Sequence, residues 1–183
     1  MVARKAHNLE VVGSTPTPAT KLNNMGTRSL TRVIPRQEGI AYNKGHEHGE
    51  LAYVNMYRHY DGDPQGHGLD LAHYLKDFKI INGIGEGAAM GTHANGAGCL
   101  AAQLVKSFKT DVGYINLYPT NNESGWEDYI YTIFPKEGQP CYISIYKVYD
   151  KKCIFVGTPQ QLIDKYTPKE SAQKLIDILT QED

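Results

Sequence analysis

Four runs in the last third of the chain limit its fold most. Gly113–Tyr118, Tyr129–Phe134, Tyr142–Tyr149 and Lys152–Val156 alternate or run apolar, as strands do. Asn121-Asn122-Glu123-Ser124-Gly125, Lys136-Glu137-Gly138-Gln139-Pro140 and the Asp150-Lys151 turn separate them. A parallel crossover needs a dozen residues or more, so these connections favour antiparallel neighbours. Asp150-Lys151 predicts a tight hairpin.

Upstream, Thr27–Val33 alternates and is rich in β-branched residues. Residues 35 to 50 hold Gly39, Gly45 and Gly49 and read as a hairpin connection. Leu51–Tyr60 is the next expected strand. Its two faces carry Tyr53, Asn55, Tyr57 and His59 against Ala52, Val54, Met56, Arg58 and Tyr60, so alternation does not separate core from solvent. A dense turn, Asp61 to Gly68, leads into a helix over about 69–78, with Leu71, Ala72, Leu75 and Phe78 at helical spacing. A glycine-rich loop, 82 to 98, precedes a second helix to about Lys109, striped by Leu100, Ala101, Leu104, Val105 and Phe108. Thr158-Pro159 and Thr167-Pro168 each open a further helix, an N-cap followed by proline. The sum is a single α+β domain over 25–183, a mainly antiparallel sheet with helices packed on one face.

Residues 1–24 have no usable periodicity. Lys5-Ala6-His7-Asn8-Leu9 reverse-translates into a stem closing on CAT, the methionine anticodon. Val12 to Thr17 reverse-translates into a stem closing on the TTCGA loop of tRNAs, and Pro18-Ala19-Thr20 resembles an acceptor end. The segment is expected to be a disordered tail, the reading frame extended across a methionine tRNA gene, with Met25 as the true start.

Composition excludes several classes. Nineteen basic against twenty acidic residues, with a pI near 6.6, give no global argument for nucleic acid or an anionic membrane. No apolar run approaches a bilayer crossing, and the N-terminus has no signal-peptide h-region. Three cysteines, Cys99, Cys141 and Cys153, are too few and too odd for a disulfide framework, so a reducing cytoplasm is expected.

Four constellations carry potential chemistry. Arg58, His59, Asp61, Asp63 and His67 stand at one strand end and turn, where arginine could hold an anion, or His59, Asp61, Asp63 and His67 a metal, the less favoured reading. The alternative reading is an ordinary turn with Arg58 paired to Asp61 or Asp63. Asn95-Gly96-Ala97-Gly98-Cys99 could offer helix N–H groups to an anion, but it lacks both the Walker and the dinucleotide patterns. Cys99, in a helix's first turn, could be a nucleophile with His59, His67 or His93 as base, or simply a buried small residue. Gly45-His46-Glu47-His48 has a His-x-His spacing without further ligands nearby. No metal or cofactor is expected. Cys141 and Cys153 read as core.

The order Thr27-Arg28-Ser29, then Tyr57-x-His59-Tyr60-Asp61-Gly62, then an amphipathic helix, resembles a group of uncharacterised phage, plasmid and bacterial proteins. Gly98-Cys99-Leu100-Ala101-Ala102-Gln103 fits its closer members. Asp63 stands where those proteins usually have tyrosine. The resemblance covers 25 to about 160 and implies a mobile-element protein acting inside a bacterial cell.

The expected function is a non-enzymatic accessory or counter-defence factor. It would bind a small anionic ligand or a host protein between the Arg58–His67 turn and the loop before Cys99. Arg28, Arg58, His59, Asp61, Asp63, His67, Gly96 and Gly98 are the expected contacts. The alternative is a thiol hydrolase using Cys99 with His59 or His67. The thirteen tyrosines also fit an interaction surface.

Overall fold

The computed structural model describes residues 26–83, 92–122 and 126–168. Residues 1–24, and the C-terminal helix expected after Thr167-Pro168, lie outside or largely outside that set.

Among the described residues, eight strands and three α-helices follow in the order β1 (Ser29–Val33), β2 (Val54–Arg58), α1 (Leu69–Leu75), β3 (Lys79–Ile81), β4 (His93–Asn95), α2 (Gly96–Phe108), β5 (Asn116–Leu117), β6 (Tyr129–Lys136), β7 (Gln139–Lys147), β8 (Lys152–Gly157) and α3 (Pro159–Tyr166). Six form one sheet in the order β5-β2-β1-β6-β7-β8, and β3 pairs with β4 separately. The large sheet is antiparallel except at its centre, where β1 and β6 run parallel with Ser29 opposite Tyr129. This is the expected α+β domain.

Both faces of the sheet are buried. On one, Val33, Val54, Met56, Tyr131, Ile133, Ile143 and Ile145 pack against Leu71, Leu75, Leu100, Leu104 and Leu162 from the three helices. The other face carries two smaller apolar clusters, Leu30 with Tyr57 and Ile130, and Ile34 with Ala52 and Phe134. Two 3-10 turns, Tyr42–Glu47 and Gly49–Leu51, cover part of it, where a plain hairpin connection was expected. Gly45 makes this seat possible: a Cβ there would meet Phe134 Cζ at 2.5 Å.

Arg32 fastens that second layer. It is wholly buried on β1. Its Nε donates to Asn55 Oδ1 at 3.2 Å and its Nη1 to the His46 carbonyl at 3.0 Å. Asn55 Nδ2 in turn donates to the Pro119 and Asn122 carbonyls. A buried charge is tolerable only when its donors are satisfied in this way. The double burial also explains why alternation in residues 51–60 did not separate two environments.

Candidate functional site

The turn from Asp61 to Gly68 is built by close backbone packing. Asp61 takes a left-handed conformation (φ 53°), which aspartate tolerates better than most residues. Gly62 donates to the Thr27 carbonyl, and a Cβ on it would lie 2.8 Å from the backbone of residues 27–29. Asp63 Oδ1 accepts from Gln65 N and Gly66 N at 3.0 and 2.9 Å. It is the N-cap of a wide helical turn, Pro64–Gly68, that runs into α1. Oδ1 of Asp63 therefore serves the fold.

His67 is sealed beneath this turn, 1% exposed, edge-on to Phe108 and Tyr131. Its Nδ1 lies 3.1 Å from Arg58 Nη1 and its Nε2 lies 2.7 Å from Thr31 Oγ1. Arginine only donates, so Nδ1 accepts and the ring hydrogen sits on Nε2, donated to Thr31. Burial, followed by the charge of Arg58, pushes its pKa down to about 3, so the ring is neutral. Arg58 is fixed further by the Tyr60 carbonyl on Nε (2.8 Å) and by Asp70 Oδ2 on Nη1 (3.2 Å). Its Nη2 makes no hydrogen bond among the described residues. A cleft of about 380 Å³ opens at this point between Arg58, Tyr60, Asp61, Val112, Gly113 and Tyr114.

Arg28 stands at the same end of the sheet but on the opposite face. It shares the parity of Leu30, which opposes Tyr57 on β2, whereas Arg58 opposes Ser29. Arg28 N donates to Asp128 Oδ2 at 2.8 Å. Its buried Nε has no hydrogen-bond partner among the described residues. Beside it Tyr57 Oη lies 2.8 Å from His59 Nδ1 and its ring stacks on Tyr118. Burial raises the Tyr57 pKa, and the Arg28 charge only partly offsets this. The phenol thus keeps its proton, and the direction of its bond to Nδ1 follows the tautomer of His59. Glu127 and Asp128 also lie close enough to raise that pKa, so two carboxylates and one arginine act on the same phenol.

The expected single cleft is not formed. Gly96 and Gly98 lie at the far end of the sheet, where a Cβ on Gly98 would meet the Tyr53 ring at an ordinary 3.5 Å. Gly96 has a positive φ (74°) with open space where a Cβ would stand, and it lines the cleft near the start of α2 described below. Cys99 and Phe108 are nine residues apart on α2, about 13–14 Å at 1.5 Å per residue. His67 packs at the Phe108 end. Cys99 Sγ accepts from Gln103 Nε2 at 3.3 Å, and no histidine bonds to it among the described residues. His59 is engaged by Tyr57, and His93 Nδ1 lies 3.1 Å from Thr92 Oγ1. The structure thus places His59 and His67 at the other end of α2 from Cys99, while the His93 carbonyl and Cys99 Sγ share the Gln103 amide.

Cys141 is core, its thiol pushed up to about 12 by burial, and the half-buried Cys153 donates to the Phe155 carbonyl. His46 stacks on Tyr146 while His48 faces Glu50, so the His-x-His pair diverges. No group of three or more metal-ligating side chains converges among the described residues. A larger cleft of about 700 Å³ lies near the start of α2, lined among others by Arg36, Glu38, Lys136 and Glu137. Its acids and bases are equal in number.

One distribution was not visible in the sequence. Eight large apolar side chains stand exposed among the described residues, and Tyr60, Val112, Tyr114, Trp126 and Tyr149 gather at the end that holds Arg28 and Arg58. Val112 and Tyr114 line the cleft with Arg58. Trp126 precedes the strand that meets Arg28, and Val148, beside Tyr149, donates to the Asp128 carbonyl. Only topology joins these distant segments. Tyr57 with His59, two apart on a strand, was the one pairing legible beforehand.

No protein family, curated protein or solved structure matches the chain. No helix among the described residues is long and apolar enough to cross a membrane.

Proposed function

We propose that the protein is a non-enzymatic binding factor that engages a host protein at the aromatic end of its sheet. The carrying observation is the gathering of five of the eight exposed large apolar side chains around Arg28 and Arg58. Tyrosine, tryptophan and arginine are the residues that dominate the binding energy of interfaces. Such side chains lose little conformational freedom on binding and bury much area. The resemblance to phage and plasmid proteins, with the tRNA-like tail, supports an accessory or counter-defence role of a mobile element in the bacterial cytoplasm.

The test is a matched capture experiment from host lysate with wild type, Trp126→Ala, Tyr114→Ala and Tyr53→Ala. Tyr53 is equally exposed but at the other end. A host protein held by wild type and Tyr53→Ala, and lost from the other two, supports the reading. Equal capture by all four overturns it.

A small anion is favoured by one observation, the buried Arg28 Nε without an acceptor. Glu127 and Asp128, two carboxylates acting on the same phenol as Arg28, oppose it. Thermal stabilisation by phosphate that disappears in Arg28→Ala would establish this second reading.

A further inference from the structure

The cleft beside Arg58 has a chemistry of its own. Nε and Nη1 of Arg58 are committed to Tyr60, His67 and Asp70, so the guanidinium is held in one orientation. Only Nη2 is left to donate. On the same cleft wall stands Asp61, whose backbone carbonyl accepts from His67 N at 2.9 Å. Its carboxylate takes no hydrogen bond among the described residues. Tyr60 and Tyr114, 61% and 52% exposed, supply ring faces. The volume of about 380 Å³ lies within the small-molecule range.

Charge decides the class of ligand. Arg58 is already paired with Asp70, His67 is neutral, and Asp61 adds a negative charge. An anion gains little here. A neutral planar heterocycle gains more if one edge offers acceptors to Arg58 and an adjoining edge offers donors to Asp61. Guanine meets both demands, with O6 and N7 as acceptors and its ring N–H and exocyclic amine as donors. Adenine presents only one amine to the carboxylate. Aromatic side chains stack any base, so the tyrosines add affinity without selecting among bases.

We propose that this cleft binds a guanine base, stacked on Tyr60 or Tyr114 and read by Arg58 and Asp61. The cleft shares Arg58, Tyr60, Val112 and Tyr114 with the host-protein surface but neither Trp126 nor Arg28, so Trp126→Ala separates the two readings.

Calorimetric titration with guanosine, inosine and adenosine tests it. Guanosine is expected to bind on the order of tenfold more tightly than adenosine, with inosine, which lacks the exocyclic amine, between them. Asp61→Asn suits the left-handed backbone and should fold normally. It is expected to abolish the preference. Tyr114→Ala is expected to weaken guanosine and adenosine alike by roughly tenfold. Trp126→Ala is expected to leave guanosine binding unchanged. Equal affinities for the three nucleosides, no heat at millimolar concentration, or an unaltered preference in Asp61→Asn would each overturn the proposal. Comparing guanosine monophosphate with a guanine-bearing single-stranded oligonucleotide separates the two sources of the base. Tighter binding of the oligonucleotide per base identifies a nucleic acid, and equal or weaker binding identifies the free nucleotide.

Discussion

Sealing an imidazole beneath Phe108 and Tyr131 fixes how it titrates. In the unfolded chain His67 has the ordinary histidine pKa of 6.5, and in the fold burial lowers it to about 3. Between those values the unfolded chain holds the extra proton. Stability therefore falls as pH falls, by up to about 1.4 kcal/mol per pH unit from this group. Its contribution is fully present above pH 6.5. His67→Gln removes the titration, so the stability gap between wild type and variant should narrow from pH 7 to pH 4 in urea unfolding. A gap that stays constant over that range would mean the imidazole protonates equally in both states. The sequence placed His67 in the right turn but gave it a ligand's role. Its burial depends on Thr31, Phe108 and Tyr131, which lie up to 64 positions away in the chain. Nothing local to Gly66-His67-Gly68 encodes them.

The two edges of the sheet are managed alike. Beside β5, Lys109 Nζ donates to the Ile115 carbonyl at 2.8 Å. On β8, Lys165 Nζ donates to the Ile154 carbonyl at 2.9 Å. Ile154 is the residue skipped where the β7–β8 register shifts. A lysine and a bulge are two devices that stop an edge from pairing with another chain. The double variant Lys109→Ala, Lys165→Ala should keep its secondary structure and scatter more light on warm incubation. Unchanged scattering would assign the lysines to packing alone. Strand and helix positions were largely legible because their apolar spacing is local. Tyr129–Phe134, Lys152–Val156 and the helix at 159–166 agree with the observed elements to within a few residues. Gly113–Tyr118 shrank to Asn116–Leu117 because only two residues reach β2. The β3–β4 pair was missed. Three-residue strands carry too little periodicity to be read.

The chain joins its beginning and its end at the centre of the sheet. β1 pairs with β6, one hundred positions later. A fragment ending at residue 121 would leave one side of β1 unpaired. It would also deprive the helices of Tyr131, Ile133, Ile143 and Ile145. Such a fragment should give the circular dichroism and NMR dispersion of an unfolded chain, and a cooperative thermal transition in it would contradict this account. The parallel centre was hidden from sequence because antiparallel order was argued from short late connections, and β1–β6 has no short connection. The same long closure brings Arg28, Tyr60, Tyr114 and Trp126 to one end, which is why that surface could not be read either.

Arg28 and Arg58 stand back to back across a single strand layer. Side chains that leave opposite faces of a sheet diverge, and each layer packed on a sheet sits about 10 Å from it. A metabolite small enough for one arginine cannot reach the other without rounding the strand ends. Any molecule that reads both must straddle the rim like a saddle, with a cleft of its own wide enough to admit the sheet. Only a macromolecular surface has those dimensions. The requirement falls on the partner's shape before it falls on its charge.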